Sequence, residues 1–432
     1  MEKAVQVKEK KRFRFPLYVA KKIGLPQWKY WLIRIVGVLL AFLLAGVICN
    51  ILKPGTFGLF YAQLIEGCFD FSDLSSVIDF LVLFSLLLLI SLALVPAFKM
   101  KFWNIGAEGQ ILIACLVSGG IAKFAPKTLP NTTILIICAV CSILAGIVWS
   151  VWSVIPAIFK ALFNTNETLF TLMMNYIATV LGLWAMDVWV KNQSGSFGTL
   201  KQGIFSEIFD NTGTLVILFT LIIFVFLFFY MKKSIHGYEL SVVGESVNTA
   251  RYVGINVKKV IIRTMILTGG IMGFIGFLIV CSINQTFNPE IVGGKGFTGV
   301  LIAWLGHFDP AEIAVFSFLA AFMEQGTSHA SSNSAIGMSS YQFTNICTGV
   351  FFFVIIACEF FSNYQIKRHH DKQFDAYFEQ YKEQRKEFIN SENNKFKHFC
   401  LKAWFYISYP VEWIIKNIEF KKMQEKKTEE AL

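Results

Sequence analysis

Apolar residues run in long unbroken blocks along this chain, and polar residues fill short gaps between them. Blocks such as VLFSLLLLISLALV from Val82 and LVILFTLIIFVFLFFY from Leu215 lack the alternation of a membrane barrel strand. A backbone in hydrocarbon must bond to itself, so these blocks predict transmembrane helices. The pattern places helices near 30–52, 76–98, 103–123, 132–160, 167–190, 213–231, 263–284, 297–306, 311–326 and 346–364. The segments 297–306 and 311–326 fall short of the roughly 20 residues a full crossing needs. The turn GHFDP joins them, with Gly306 and Pro310 and no cation expected nearby. They read as a hairpin within the membrane or as short, tilted spans, tolerated only against protein or a cavity. The expected fold class is all-α, a polytopic integral membrane protein with about ten spanning or half-spanning helices.

Composition agrees. Of 432 residues, 55% are hydrophobic and only 16% charged. The formal charge of +10 would suit nucleic acid, but its placement does not. Cations cluster in the N-terminal arm (KEKKRFRF from Lys8), in one central loop and in the C-terminal tail, the pattern of segments held on the cytoplasmic side. No nucleic-acid partner is expected. Between Lys53 and Lys99 there is no Lys or Arg, and the loop before the 76–98 span carries Glu66, Asp70 and Asp73; that loop reads as outside. Lys99 and Lys101 return to the inside, and the segment from Lys232 to Arg263 is inside again. Both termini are therefore expected in the cytoplasm. The first apolar block reads as an uncleaved anchor, being too long for a signal peptide. The cysteines sit mostly inside apolar blocks, and the CxxC spacing of Cys138 and Cys141 reads as packing, so no metal site is expected.

Three regions follow: a basic arm at 1–29, a membrane domain at 30–364 with a loop at 232–262, and a tail at 365–432. In the tail, Phe374, Tyr377, Phe378 and Tyr381 recur at helical spacing among charges. The later FCLKAWFYISYPVEWIIKNI holds Lys402, Pro410, Glu412 and Lys416, which favours a helix at the membrane surface over an eleventh span.

Polar residues inside spans are costly to keep, and here they form clusters. In NIGAEGQ, Asn104 and Glu108 share a helix face, Gly106 and Gly109 permit close approach or unwinding, and Gln110 adds an amide. A helix starting at 103 puts Glu108 about 8 Å from the membrane edge at 1.5 Å per residue. Two readings stand: Glu108 caps or bridges to a neighbouring helix, or it lines a polar pathway. In NTNETLFTLMMNYIA, Glu167, Thr171 and Asn175 recur every four residues as a polar stripe. Asn164 or Asn166 is the candidate cap, and Glu167 suits a helix N-terminus. In GGKGFTGV, Gly293, Gly294 and Gly296 precede a short apolar segment; no GxxxxGK[ST] phosphate loop exists in the chain. Glycine-interrupted or short segments in both halves point to a transporter's pathway. Finally, in GYELSVVGESVNTARYVGINVKKVIIR, residues 246–253 read as a short helix stopped at Gly254, a rigid lever for a soluble partner.

NIGAEGQ, NETLFTLMMNYIA, GESVNTARYVGI and GFTGVLIAWLG, in this order over about 30–364, resemble the permease subunits of ATP-binding cassette importers for nucleosides and simple sugars. The resemblance implies a non-enzymatic permease that carries nucleosides across the cytoplasmic membrane, with no cofactor in this chain and ATP bound by a separate ATPase subunit. It implies a second permease subunit, the same or different, and an extracytoplasmic substrate-binding lipoprotein. Gly244, Glu245, Ala250, Arg251, Tyr252, Gly254 and Ile255 would form the element that docks the ATPase. Asn104, Gly106, Glu108, Gly109 and Gln110 would shape the pathway. The long tail and the abundance of Phe depart from the pattern. A ribose- or galactose-type sugar importer uses the same scaffold, and an ion-coupled secondary transporter is the remaining alternative.

Overall fold

The computed structural model describes residues 17–22, 26–70, 74–152, 166–190, 195–206, 212–333, 336, 340–368, 372–390, 408, 411–420 and 423. The far end of the expected 132–160 span, the candidate cap Asn164 and most of the basic arm lie outside them. In chain order the elements are β1 (Leu17–Lys21), α1 (Gln27–Leu52), α2 (Phe57–Phe69), α3 (Leu74–Lys99), α4 (Ala107–Phe124), α5 (Asn131–Trp152) and α6 (Glu167–Trp189). There follow α7 (Thr214–Lys233), α8 (Ile235–Glu245), α9 (Val247–Tyr252), α10 (Val257–Leu278, running on as a π-helix over Ile279–Asn284), α11 (Lys295–Leu305), α12 (Pro310–Ser332), α13 (Ser340–Asn363), β2 (Tyr364–Arg368) and α14 (Lys372–Asn390). Among the described residues, α1, α3, α4, α5, α6, α7, α10 and α13 contain the eight helices long and apolar enough to cross a membrane.

Two units make up the chain, residues 36–356 and residues 1–35 with 357–432; the division falls within α1 and α13. In the larger unit α10 packs on α5, α4 and α3, α3 also carries α7 and α11, and α6 flanks α4. Small residues allow the backbones to approach: Gly269 and Gly273 of α10 meet Gly146, Ser150 and Ser142 of α5. Without a hydrophobic drive between helices in lipid, such contacts are the main source of packing energy.

The structure corrects three expectations. The stretch read as an outside loop contains α2, whose buried Phe60, Leu64, Gly67 and Cys68 follow helical spacing; it packs along α12. The segment read as 311–326 is a 23-residue helix, α12, about 34 Å long and so long enough to cross. Its last turns, GTSHASS, stay helical although polar, because their hydroxyls bond carbonyls of the same helix. Thr327 Oγ1 donates to the Met323 carbonyl and Ser331 Oγ to that of Ser328. The His329 ring pairs with the Gln63 carbonyl of α2. Third, Asp309 in the GHFDP turn is not remote from cations, because Lys232 lies 3.4 Å away. Asp309 also caps α12, accepting from Ala311 N at 2.9 Å, with Pro310 in the first turn, as helix starts favour. Only α11 remains a short apolar helix of the expected pair.

In the smaller unit β1 and β2 pair antiparallel, Leu17 opposite Arg368 and Lys21 opposite Tyr364. Arg34 and Glu359 form an ion pair at 3.1 Å, each side chain 4% exposed, and Asn363 donates to the other Glu359 oxygen at 2.8 Å. In the tail, α14 and the helical residues 411–420 turn their aromatic faces on each other: Phe374, Phe378 and Trp413 are buried together. Arg385 holds Glu412 at 2.9 Å beside them.

Candidate translocation site and coupling element

The three polar clusters of the membrane domain converge on one place, and an unwound segment puts them there. After α3 ends at Lys99 the chain turns back, with Phe102 N bonded to the Ala97 carbonyl and Trp103 against Phe98, ring centroids 5.4 Å apart. Residues 102–105 are not helical and α4 starts only at Ala107. Non-helical chain covers up to about 3.3 Å per residue against 1.5 Å in a helix. Glu108 is therefore deeper than a helix starting at 103 would place it. Gly299 of α11 lies against Ile90 and Ser91 of α3, and Phe308, just beyond α11, against Phe98 at 5.7 Å. Gly296, about one turn above Gly299, is level with the middle of α3, and Glu108 sits beside Gly296.

Unwinding frees backbone groups that must be satisfied in hydrocarbon, and the α6 stripe does this. Thr171 Oγ1 accepts from Ile105 N at 3.2 Å. Asn175 accepts from Gly109 N at 2.9 Å and donates to the Ile105 carbonyl at 3.0 Å. Asn104 Oδ1 accepts from Gly106 N at 3.0 Å. Glu167, in the first turn of α6, is buried, and Asn166 is the cap, accepting from Thr168 N.

Glu108 reaches across to the second half of the chain. Its Oε1 accepts from Gly294 N at 2.8 Å and its Oε2 from Gly296 N at 2.7 Å. A carboxylate on the free N–H groups of a helix N-terminus gains both charge-assisted hydrogen bonds and the helix dipole. Gly293 and Gly294 have φ of +61° and +80°, a conformation that favours glycine; it turns these N–H groups toward the carboxylate. Glu108 thus bridges to a neighbouring helix, and it does so where the N-termini of α4 and α11 meet beside the middle of α3.

Gln110 is fully buried, and among the described residues neither end of its amide has a hydrogen-bond partner; the same holds for Asn104 Nδ2. Sequence reasoning singled out Lys295 only through its glycine neighbours and missed Glu324. The two pair at 3.6 Å. The available signal for Glu324 was a lone carboxylate in an apolar run, AAFMEQ.

The expected short helix is present as α9, with Ser246 accepting from Thr249 N and Gly254 at φ +88° ending it. Ala250 is buried; Glu245, Arg251, Gly254 and Tyr252 are exposed, Tyr252 at 94%. Ile255 is half-buried, its N bonded to the Ala250 carbonyl. Gly244 belongs to α8, a helix the polar composition of this loop concealed. A side chain at Gly244 would run into the Lys99 carbonyl, so its absence docks α8 on the end of α3. Arg263 of α10 bonds Glu239 of α8 at 2.9 Å. Burial raises the Glu239 carboxyl, but the hydrogen bond and charge of Arg263 outweigh it and hold the group below its usual range. The exposed α9 is thus tied through α8 to α3, α7 and α10.

Helix N-termini that meet inside a polytopic bundle are an arrangement that membrane transporters use at their pathways. The chain belongs to the family described as branched-chain amino acid transport system / permease component, matched over residues 76–358. It is similar to the guanosine ABC transporter permease protein NupP of Bacillus subtilis (strain 168), 31% identical over 51% of this chain and 64% of that protein. It is also similar to the nucleoside ABC transporter permease protein NupB of Lactococcus lactis subsp. cremoris (strain MG1363), 24% identical over 56% and 69%. The glucose ABC transporter permease protein TsgB13 of Haloferax volcanii is 23% identical over 79% of this chain and 91% of its own. The match thus spans somewhat less than two thirds of the guanosine permease. No solved structure matches the chain.

Proposed function

We propose that this chain is the permease subunit of an ATP-driven importer that carries nucleosides across the cytoplasmic membrane, with both termini inside. The observation that carries this reading is the Glu108 bridge between two helix N-termini halfway along α3, together with an exposed short helix, α9, elsewhere in the same domain. In this reading a partner ATPase docks on Glu245, Arg251, Tyr252 and Gly254. Its closure moves α9 and α8, and α8 bears on α3 through Gly244 and on α10 through Glu239 and Arg263. Helix α3 carries α11, and α10 carries α4, with Gly276 against Ile111 and Cys115. The motion then reaches both sides of the Glu108 joint. Asn104, Gly106, Gly109, Gln110, Glu167, Thr171, Asn175 and Gly293 shape the same region. This chain makes and breaks no bonds and binds no cofactor; ATP belongs to the partner. A second permease subunit and an extracytoplasmic binding protein complete the assembly.

Nucleosides are favoured by the two relatives named for guanosine and nucleoside transport. A sugar is the second reading, favoured by the extent of the match to the glucose permease. The test is uptake of labelled guanosine in cells expressing the chain, competed with unlabelled nucleosides, ribose and glucose. Saturable uptake competed by nucleosides alone is expected. Competition by the sugars alone transfers the assignment to them, and uptake that persists without ATP removes the ABC reading.

A further inference from the structure

Lys295 and Glu324 make an ion pair outside the two hydrogen bonds of the Glu108 bridge. Lys295 is the first residue of α11, between the two glycines that Glu108 caps, and Glu324 lies about 21 Å along α12 from Pro310 at 1.5 Å per residue. Their separation is 3.6 Å, and the side chains are 25% and 24% exposed. The pair is partly open, unlike the closed ion pair of Arg34 and Glu359 at 4% each. Ionisable residues within a membrane domain face the bundle interior or a water-filled space and mark pathways. Open space borders the residue before Lys295, since a Cβ built at Gly294 would meet nothing within 4 Å, and a Cβ at Gly293 would meet Lys295 Nζ at 3.6 Å.

We propose that Lys295 and Glu324 form the polar wall of the translocation pathway and take the hydrogen-bonding edge of the permeant. The ammonium donates and the carboxylate accepts from neighbouring positions, which suits an uncharged solute with an acceptor beside a donor, as on a nucleobase edge or a ribose diol. With Glu108 the three charges sum to −1, which disfavours a phosphorylated, anionic solute. The inference rests on the nucleoside reading for the identity of the permeant but not for the position of the wall.

Two measurements on the full-length chain in its assembled transporter test this. In the first, Lys295→Cys and Glu324→Cys are treated with a water-soluble cationic methanethiosulfonate, against the parent protein as background. Modification of both, slowed at least threefold by guanosine and not by guanosine monophosphate, is expected. In the second, the double variant Lys295→Met/Glu324→Gln is assayed. Removing both partners of an ion pair is often neutral for folding, so the variant should assemble, while guanosine uptake falls at least tenfold. Transport by the double variant with the parent's KM and rate overturns the proposal, because the pair then only braces α11 on α12. So does failure of the reagent to reach either cysteine. Modification and transport loss without guanosine protection support the wall and overturn the nucleoside reading alone.

Discussion

At the scale of single residues, Glu108 decides the most. Its two oxygens occupy the N–H groups of Gly294 and Gly296, and removing it leaves the buried Gly296 donor unpaired, at about 1–3 kcal/mol, and the half-buried Gly294 donor without its charged acceptor. Glu108→Leu should lower the midpoint of thermal unfolding in detergent and reduce uptake more than tenfold. Glu108→Gln keeps one acceptor and should fall between, which a thermal-shift series with parallel uptake assays will check. Asn175→Leu removes one hydrogen bond to the unwound segment and one to the first turn of α4 and should reduce uptake with a smaller loss of stability. Both residues were visible in the sequence as polar groups inside apolar blocks. Their partners were not: Gly294 lies 186 positions from Glu108, and no local pattern encodes so remote a contact.

At the scale of elements, the pair α8–α9 carries the predictions. Gly254→Pro or Arg251→Glu should leave insertion intact while uncoupling ATP hydrolysis from uptake, read as ATPase activity that substrate no longer stimulates. Gly244→Val places a branched side chain against the Lys99 carbonyl and should uncouple by displacing α8 from α3. The tie from Glu239 to Arg263 is also pH-dependent. Because the folded carboxyl titrates lower than an ordinary one, the tie is complete above the usual carboxylate range. It is lost as pH falls through the depressed value. Coupling in reconstituted vesicles should decline on that acid side, and Glu239→Gln should flatten the profile. Helix α9 was legible from Ser246, Gly254 and the spacing between them. Helix α8 was not, because His236, Tyr238 and Glu239 read as a loop until α3, α7 and α10 supply the surfaces that bury Leu240, Val243 and Gly244.

At the scale of the whole molecule, Arg34 and Glu359 join positions 325 apart, near the two ends of the membrane domain. Arg34→Ala leaves a buried carboxylate without that partner, which should cost about 3–5 kcal/mol. The double variant Arg34→Met/Glu359→Leu should recover most of it, measured by thermal unfolding. The sequence by itself determined that the chain is helical and membrane-embedded, where most of its helices lie, and which short motifs break the apolar pattern. Those features follow from transfer free energy and from backbone hydrogen bonding within a segment, both local in the chain. Only the tertiary structure decided that α12 is long enough to cross, that α2 is a helix packed on it, and that Glu108, Lys295 and Glu324 gather around one joint. Each of these depends on which faces meet across hundreds of residues, and that is settled by packing and by the pairing of buried polar groups.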